Sequence, residues 1–313
     1  MKKTTFLLSF FAFLFYTQTS SAQNWSTVGT GTNGIINVLD SAMGKLYAGG
    51  SFTIAGGIKA LNIASWNGTR WDSLKGNINY NVNCMTMYNN KLVVGGGFDS
   101  VDGMFISDVA TWDGTSWDSL GGNIPVYNSV VNAMVVYNGN LVIGGHFDSI
   151  NNMPVHNIAM WNGTSWDSLR SGLPSNLYEG VTALAVYNNK LYAAGFFKNP
   201  GSTDSVFIAR WNGTKWDTLN TNLTRATYIS GAFALAVFQN KLYIGGSMMN
   251  APLTDFLVAW NDTVMSSVNL GLTGSVESLY PNNNYLYMVV PLLRFLLANT
   301  TILLNGTAQP ETH

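Results

Sequence analysis

Cysteine is nearly absent from this chain: Cys84 is the only one in 313 residues, so no intrachain disulfide can form. Charge is scarce as well. Asp, Glu, Lys and Arg make up 10% of the residues, where a soluble domain usually has about a quarter, and the formal net charge is −1. No basic face is available for nucleic acid or an anionic membrane surface. Histidine is limited to His146, His156 and His313, and none stands at a ligand spacing from Cys84, so neither a metal centre nor any cofactor is expected. Hydrophobic residues are plentiful at 47% and aromatics reach 13%, which excludes disorder.

Residues 1–22 read as a secretory signal. Lys2 and Lys3 form the basic start, Phe6 to Tyr16 the apolar run, and Ser20-Ser21-Ala22 a small-residue cleavage site before Gln23. The apolar run is short for a membrane span, so the mature protein is expected to be secreted or at the cell surface with no span left after cleavage. Without the two lysines the net charge becomes about −3.

The mature chain is a repeat. The stretch Asn157-Ile158-Ala159-Met160-Trp161-Asn162-Gly163-Thr164-Ser165-Trp166-Asp167 returns around Trp66, Trp112 and Trp211, and in a worn copy at Trp260-Asn261-Asp262-Thr263. It predicts a β-hairpin, with a tight type I′ turn at Asn-Gly. Each unit opens with an alternating strand such as Val131 to Tyr137. A polar turn follows, then a second strand ending in paired glycines: Gly49-Gly50, Gly95-Gly96, Gly144-Gly145 and Gly245-Gly246, with Ala194-Gly195 in the fourth unit. About ten looser residues lead to the tryptophan hairpin.

From the first glycine position to the first tryptophan is 17 residues in four units and 15 in the fifth, and the units repeat every 46 to 51 residues. Four short antiparallel strands per unit predict an all-β fold, a β-propeller of four-stranded blades with about six repeats visible and the last degenerate. An open β-solenoid would have shorter coils and no need of two hairpins. The paired glycines suit crowded strands near the axis; the tryptophans Trp66, Trp112, Trp161, Trp211 and Trp260 suit the packing between blades. Cys84 aligns with Ala133, Ala183 and Ala234 and reads as a small buried filler. At the N-terminus, Trp25-Ser26-Thr27-Val28-Gly29 repeats the fourth-strand words with no first three strands before it, as a ring closed by both chain ends would require.

The glycine pair, the tryptophan beyond it and the period near fifty resemble kelch-type propellers, and more closely secreted bacterial propeller-repeat proteins that often carry a C-terminal sorting domain. The resemblance spans residues 24 to about 287 and implies a β-propeller over 23–287. The Trp-Asn-Gly-Thr hairpin departs from kelch, and no sorting domain is visible. Residues 288–313 read as a degenerate tail. They match none of the repeat's words, but a reading-frame shift over codons chosen for Tyr287 to Leu293 yields Tyr-Gly-Gly-Ser-Phe-Thr. The same shift over Thr300 to Gly306 yields Asn-Ile-Ala-Lys-Trp. The tail is therefore expected to be out of frame or truncated, and resequencing the gene there tests it.

No asymmetric catalytic cluster is visible. Asp72, Asp118, Asp167 and Asp217 recur in every clear unit and suit structural hydrogen bonds. Strand alternation puts both tight turns of a unit on one face of the ring and the long connections on the other, where binding residues concentrate. A tyrosine recurs in the connection between units: Tyr80, Tyr127, Tyr178 and Tyr228. Such rings suit a polar ligand with apolar faces, although packing of each tyrosine on its own blade is the commoner use of one aromatic per repeat. The expectation is a non-catalytic binding or adhesion scaffold whose partner is an environmental or cell-surface glycan or a protein. A carbohydrate-active enzyme is the alternative, with candidate acids Asp99, Asp102, Asp148, Glu179 and Asp204.

Overall fold

In the computed structural model the described residues are 27–124, 128–170, 172–175, 180–198, 205–219, 231–247, 256–268, 270, 274–290 and 300–305. Besides three two-stranded hairpins, they form five four-stranded antiparallel sheets and one three-stranded sheet, following one another along the chain. These are the blades of a β-propeller, numbered 1 to 6 along the chain, and among the described residues no helix is long and apolar enough to cross a membrane. The first strands, Ile35–Ala42, Val82–Tyr88, Val130–Tyr137, Val181–Tyr187, Ala232–Phe238 and Ser278–Pro281, each neighbour the next and make the inner wall.

The wall is kept in register by one irregularity repeated in blades 1 to 5. Each first strand there carries a β-bulge opposite the glycine pair, leaving Asn37, Asn83, Asn132, Thr182 and Phe233 as the extra residue. The bulged polar side chains then reach the next blade. Asn37 Nδ2 donates to Val82 O at 3.0 Å, Asn83 Nδ2 to Asn132 Oδ1 at 3.1 Å, Asn132 Nδ2 to Val181 O at 3.4 Å and Thr182 Oγ1 to Ala232 O at 2.6 Å.

Each glycine of a pair is required for a different reason. A Cβ on Gly49 would lie 2.6 Å from Val82 Cγ1 of the next blade, and one on Gly144 would lie 2.5 Å from Val181 Cγ1. The second glycines, Gly50 and Gly145, face the bulge of their own blade, where a Cβ would be 2.0 Å from the Ile35 or Val130 carbonyl oxygen. The first glycine thus sets the spacing between blades and the second the spacing within one.

Three details differ from the sequence reading. The type I′ turns lie in the first hairpin, not the tryptophan hairpin. Asn89-Asn90, Asn138-Gly139 and Asn188-Asn189 all have positive φ, whereas only the glycine does in Asn67-Gly68 and its copies. There the asparagine folds the loop through its side chain: Asn67 Oδ1 accepts from the backbone N–H of Thr69 and Arg70, both at 3.0 Å. The looser residues are also structured in blades 1 to 3, where Ile54–Ala55 pairs with Ile58–Lys59, Ser100–Val101 with Met104–Phe105, and Ser149–Ile150 with Met153–Pro154. Finally, Trp112, Trp211 and Trp260 are buried but Trp66 and Trp161 only partly so. In blades 1 to 4 the two tryptophans of the hairpin pack against each other at a tilt, as Trp161 and Trp166 do at 5.2 Å between centroids.

Residues 285–290 form the second strand of blade 6 with Met288 and Val290 buried, and Thr300–Asn305 pairs beside it. Val289 and Val290 stand where the other blades carry glycines; β-branched residues extend readily, so the strand forms without the repeat's words. At the other end, the segment from Val28 to Asn33 sits on blade 1 as the outgoing segments of blades 1 and 2 sit on their successors. Val28 O accepts from Trp71 Nε1 at 2.9 Å, as Gly121 O does from Trp166 Nε1 at 3.2 Å. Leu39, on the inner wall of blade 1, is 54% exposed, whereas Met85 in the same position of blade 2 is 7% exposed under blade 1. Trp25 and residues 1–22 lie outside the described residues.

Candidate functional site

On the long-connection face, blades 1 and 2 enclose a cleft of about 360 Å³ lined by Asn33, Phe52, Thr53, Asn62, Asn79 and Tyr80, among others. The tyrosine comes from the segment entering blade 2 and is 58% exposed. Most of the amides are already committed to the scaffold. Asn33 Oδ1 accepts from the N–H groups of Thr53 and Ile54 at 2.9 and 2.8 Å, and Asn79 Oδ1 does the same for Asp99 and Ser100 at 3.1 Å each. Asn62 bridges too: its Oδ1 takes the Phe52 N–H at 3.2 Å and its Nδ2 gives to Ile78 O at 2.8 Å. What remains for a ligand is an aromatic face with a hydroxyl on a rigid floor, which suits stacking more than hydrogen-bond readout.

Of the four tyrosines expected to line the mouth, Tyr80 is thus on this cleft, while Tyr127, Tyr178 and Tyr228 lie outside the described residues. Among the candidate acids, Asp102 and Asp148 are exposed on different blades, Asp99 is held by Asn79, and Glu179 and Asp204 lie outside the described residues. His156 is exposed, His146 ends the second strand of blade 3, and no metal-holding group of His, Cys, Asp and Glu occurs among the described residues. Cys84 is buried, and burial pushes its thiol up and out of reach of chemistry at neutral pH.

One carboxyl escaped the sequence reading. Asp108 is 2% exposed with φ +62°, in the position that Asn62 and Asn157 hold in blades 1 and 3. There the asparagine Nδ2 donates to the carbonyl of Ile78 or Leu173, at 2.8 Å in both cases. A carboxylate cannot donate, and in blade 2 the Ser107 hydroxyl serves the Ile124 carbonyl instead, while Ser129 Oγ donates to Asp108. Burial pushes Asp108 up to about 7; the Ser129 bond works against this and the charge of Asp99 adds to it. The signal was Asp replacing Asn before Val109-Ala110 in an otherwise faithful repeat.

Compared with known proteins, the chain matches the family model described as the Rax2 C-terminal beta propeller domain over residues 58–251. The extracellular domain of a protein described as a hybrid two component system from B. thetaiotaomicron is similar in structure, with a TM-score of 0.57 at 12% identity, over 87% of this chain and 33% of that one. An ancestral GH74 enzyme is similar with a TM-score of 0.53 at 12% identity, over 92% of this chain and 38% of the enzyme. The chain therefore spans about a third of either protein, and at this identity the likeness is one of fold. No curated protein matches its sequence.

Proposed function

The chain belongs to the family of the Rax2 C-terminal beta propeller domain, and on that premise we propose that it is an exported, non-catalytic binding scaffold that holds a glycan on its long-connection face. The observation that carries this reading is the exposed ring of Tyr80 over the cleft between blades 1 and 2. A sugar ring stacks on such a face with its hydroxyls left to water, and a floor of asparagines already bonded to the backbone costs little ordering on binding. Tyr127, Tyr178 and Tyr228 would extend the surface around the mouth. Export rests on the leader-like residues 1–22, and the kelch-like repeat with its secreted propeller relatives points the same way.

A glycan-array screen of the mature protein tests the reading, with Tyr80→Ala as the control. Retention of a defined glycan class that the variant loses supports it. An array on which the wild-type protein retains nothing, or retains glycans as well without Tyr80, overturns it.

A further inference from the structure

On the tight-turn face, two seams between blades share most of their parts and differ at two positions, Asp262 against Gly114 and Arg210 against Ser65. At the seam of blades 4 and 5, Asp262 occupies the hairpin turn with φ +79°, where the turns of blades 1 to 4 carry Gly68, Gly114, Gly163 and Gly213. Its carboxylate crosses to blade 4. Oδ2 accepts from Lys190 Nζ at 2.6 Å, Oδ1 accepts from the Tyr192 hydroxyl at 2.9 Å, and an Arg210 nitrogen lies 3.8 Å from Oδ1. Trp260 Nε1 closes the group by donating to the Tyr192 oxygen at 3.3 Å.

At the seam of blades 1 and 2 the register puts Lys45, Tyr47, Trp112 and Gly114 in the places of Lys190, Tyr192, Trp260 and Asp262. Tyr47 pairs with Ser65 as Tyr192 pairs with Arg210. Here the carboxylate is missing and a cavity of about 440 Å³ lies in its place, lined by all of these blade 1 and 2 residues. A Cβ built on Gly114 would meet nothing closer than Met43 Sδ at 3.8 Å, so the space that Asp262 enters at the other seam is open.

The charges left behind are positive. Lys45 is exposed with no acidic partner among the described residues, Lys75 adds a second ammonium to the lining, and Asp72 is engaged by Arg70 at 3.2 Å. Among the described residues the Tyr47 hydroxyl bonds only Met43 Sδ, at 3.8 Å, a weak acceptor that a carboxylate would displace. Burial raises the Tyr47 phenol, which keeps it a donor. At the next two seams Val93 and Val142 stand where the tyrosine would be.

We propose that the cavity between blades 1 and 2 is a binding site for the carboxylate of a small organic acid, with Lys45 Nζ and the Tyr47 hydroxyl taking from an external ligand what Asp262 supplies from within at the other seam. The space suits a body the size of an amino acid or a monosaccharide, held against Leu74 and Trp112. The site is on the opposite face from Tyr80 and stands independently of the glycan reading.

Titration calorimetry and saturation-transfer NMR on the mature protein, with N-acetylaspartate, glucuronate and glucose as probes, test it. At least one acid should bind saturably with a Kd of about 1 mM, glucose should not, and whichever acid binds identifies the carrier as amino acid or sugar. Lys45→Met and Gly114→Asp should each weaken that binding at least about tenfold, the second by seating a carboxylate of its own; a cooperative unfolding transition for each shows that the fold is intact, since a side chain at the Gly114 φ of +102° costs some stability of its own. Absence of saturable binding by both acids, or equal binding by Gly114→Asp, overturns the proposal. So does failure of a converse test: Asp262→Gly opens the equivalent space between blades 4 and 5, and acetate should raise the Tm of that variant more than that of the wild type.

Discussion

The seam of blades 4 and 5 and the seam of blades 1 and 2 share backbone, register and most side chains, yet one is closed by its own carboxylate and the other is open. The closed one contains the least faithful hairpin of the repeat. Trp260-Asn261-Asp262-Thr263 departs from Trp-Asn-Gly-Thr because its aspartate ties two blades together, while the faithful Gly114 leaves a cavity. In a repeat protein, fidelity to the consensus marks what the fold needs of every unit, and a departure marks what one unit does alone.

Both seams depend on the glycine that spaces the blades, so the largest effect is expected from Gly49→Val. Its Cβ would lie 2.6 Å from Val82 Cγ1 and 2.8 Å from Met85 Cε. Separating blades 1 and 2 should cost roughly 3 kcal/mol in urea unfolding and raise hydrogen exchange in both blades; a stability near wild type would refute the role given to the glycine pair. Asp108→Asn comes next, with the opposite sign. A carboxyl raised to about 7 binds its proton more tightly folded than unfolded, so it destabilises as pH rises through the range from about 4 to 7 and remains costly above it. Asparagine escapes that cost and restores the amide of Asn62 and Asn157. The variant should exceed wild type by about 2 kcal/mol at pH 8 and by much less at pH 5.

Asp262→Ala should break the closed seam at a cost of about 1 to 2 kcal/mol, since its partners are a quarter to a third exposed and partly screened. Burial alone would push Asp262 up; the Lys190 and Tyr192 bonds, with the charges of Lys190 and Arg210, outweigh it and hold the carboxyl below the usual range. Its contribution is therefore present at neutral pH and lost as pH falls through that lowered value, so wild type and variant should converge in strong acid. The smallest expected change in stability is that of Tyr80→Ala, within about 0.5 kcal/mol. A larger loss of Tm would mean that the ring packs on its blade and would remove the reason for a ligand there.

Much of this was legible in the residues. The strand order, the glycine pairs and the paired tryptophans follow from local periodicity, which each unit states again. The turn types were read into the wrong hairpin because Asn-Gly is compatible with both geometries; the side chain of Asn67 bonding its own loop decides between them. The short inner hairpins of blades 1 to 3 were missed because two-residue strands carry no alternation to detect. Asp108 was overlooked for a different reason, since nothing local distinguishes a buried carboxyl from a solvated one.

By itself the sequence determined the blade and its repetition, because alternation, turn chemistry and glycine spacing act within about fifty residues and recur. Only the tertiary structure decided which seam is tied and which is open. Lys190 and Asp262 are 72 positions apart, as far as Trp161 lies beyond Tyr88 within a residue, and no periodicity links such pairs. They meet because whole blades pack at a spacing set by the glycines, and a carboxylate changes from surface charge to clamp only when that packing brings an ammonium and a phenol to it.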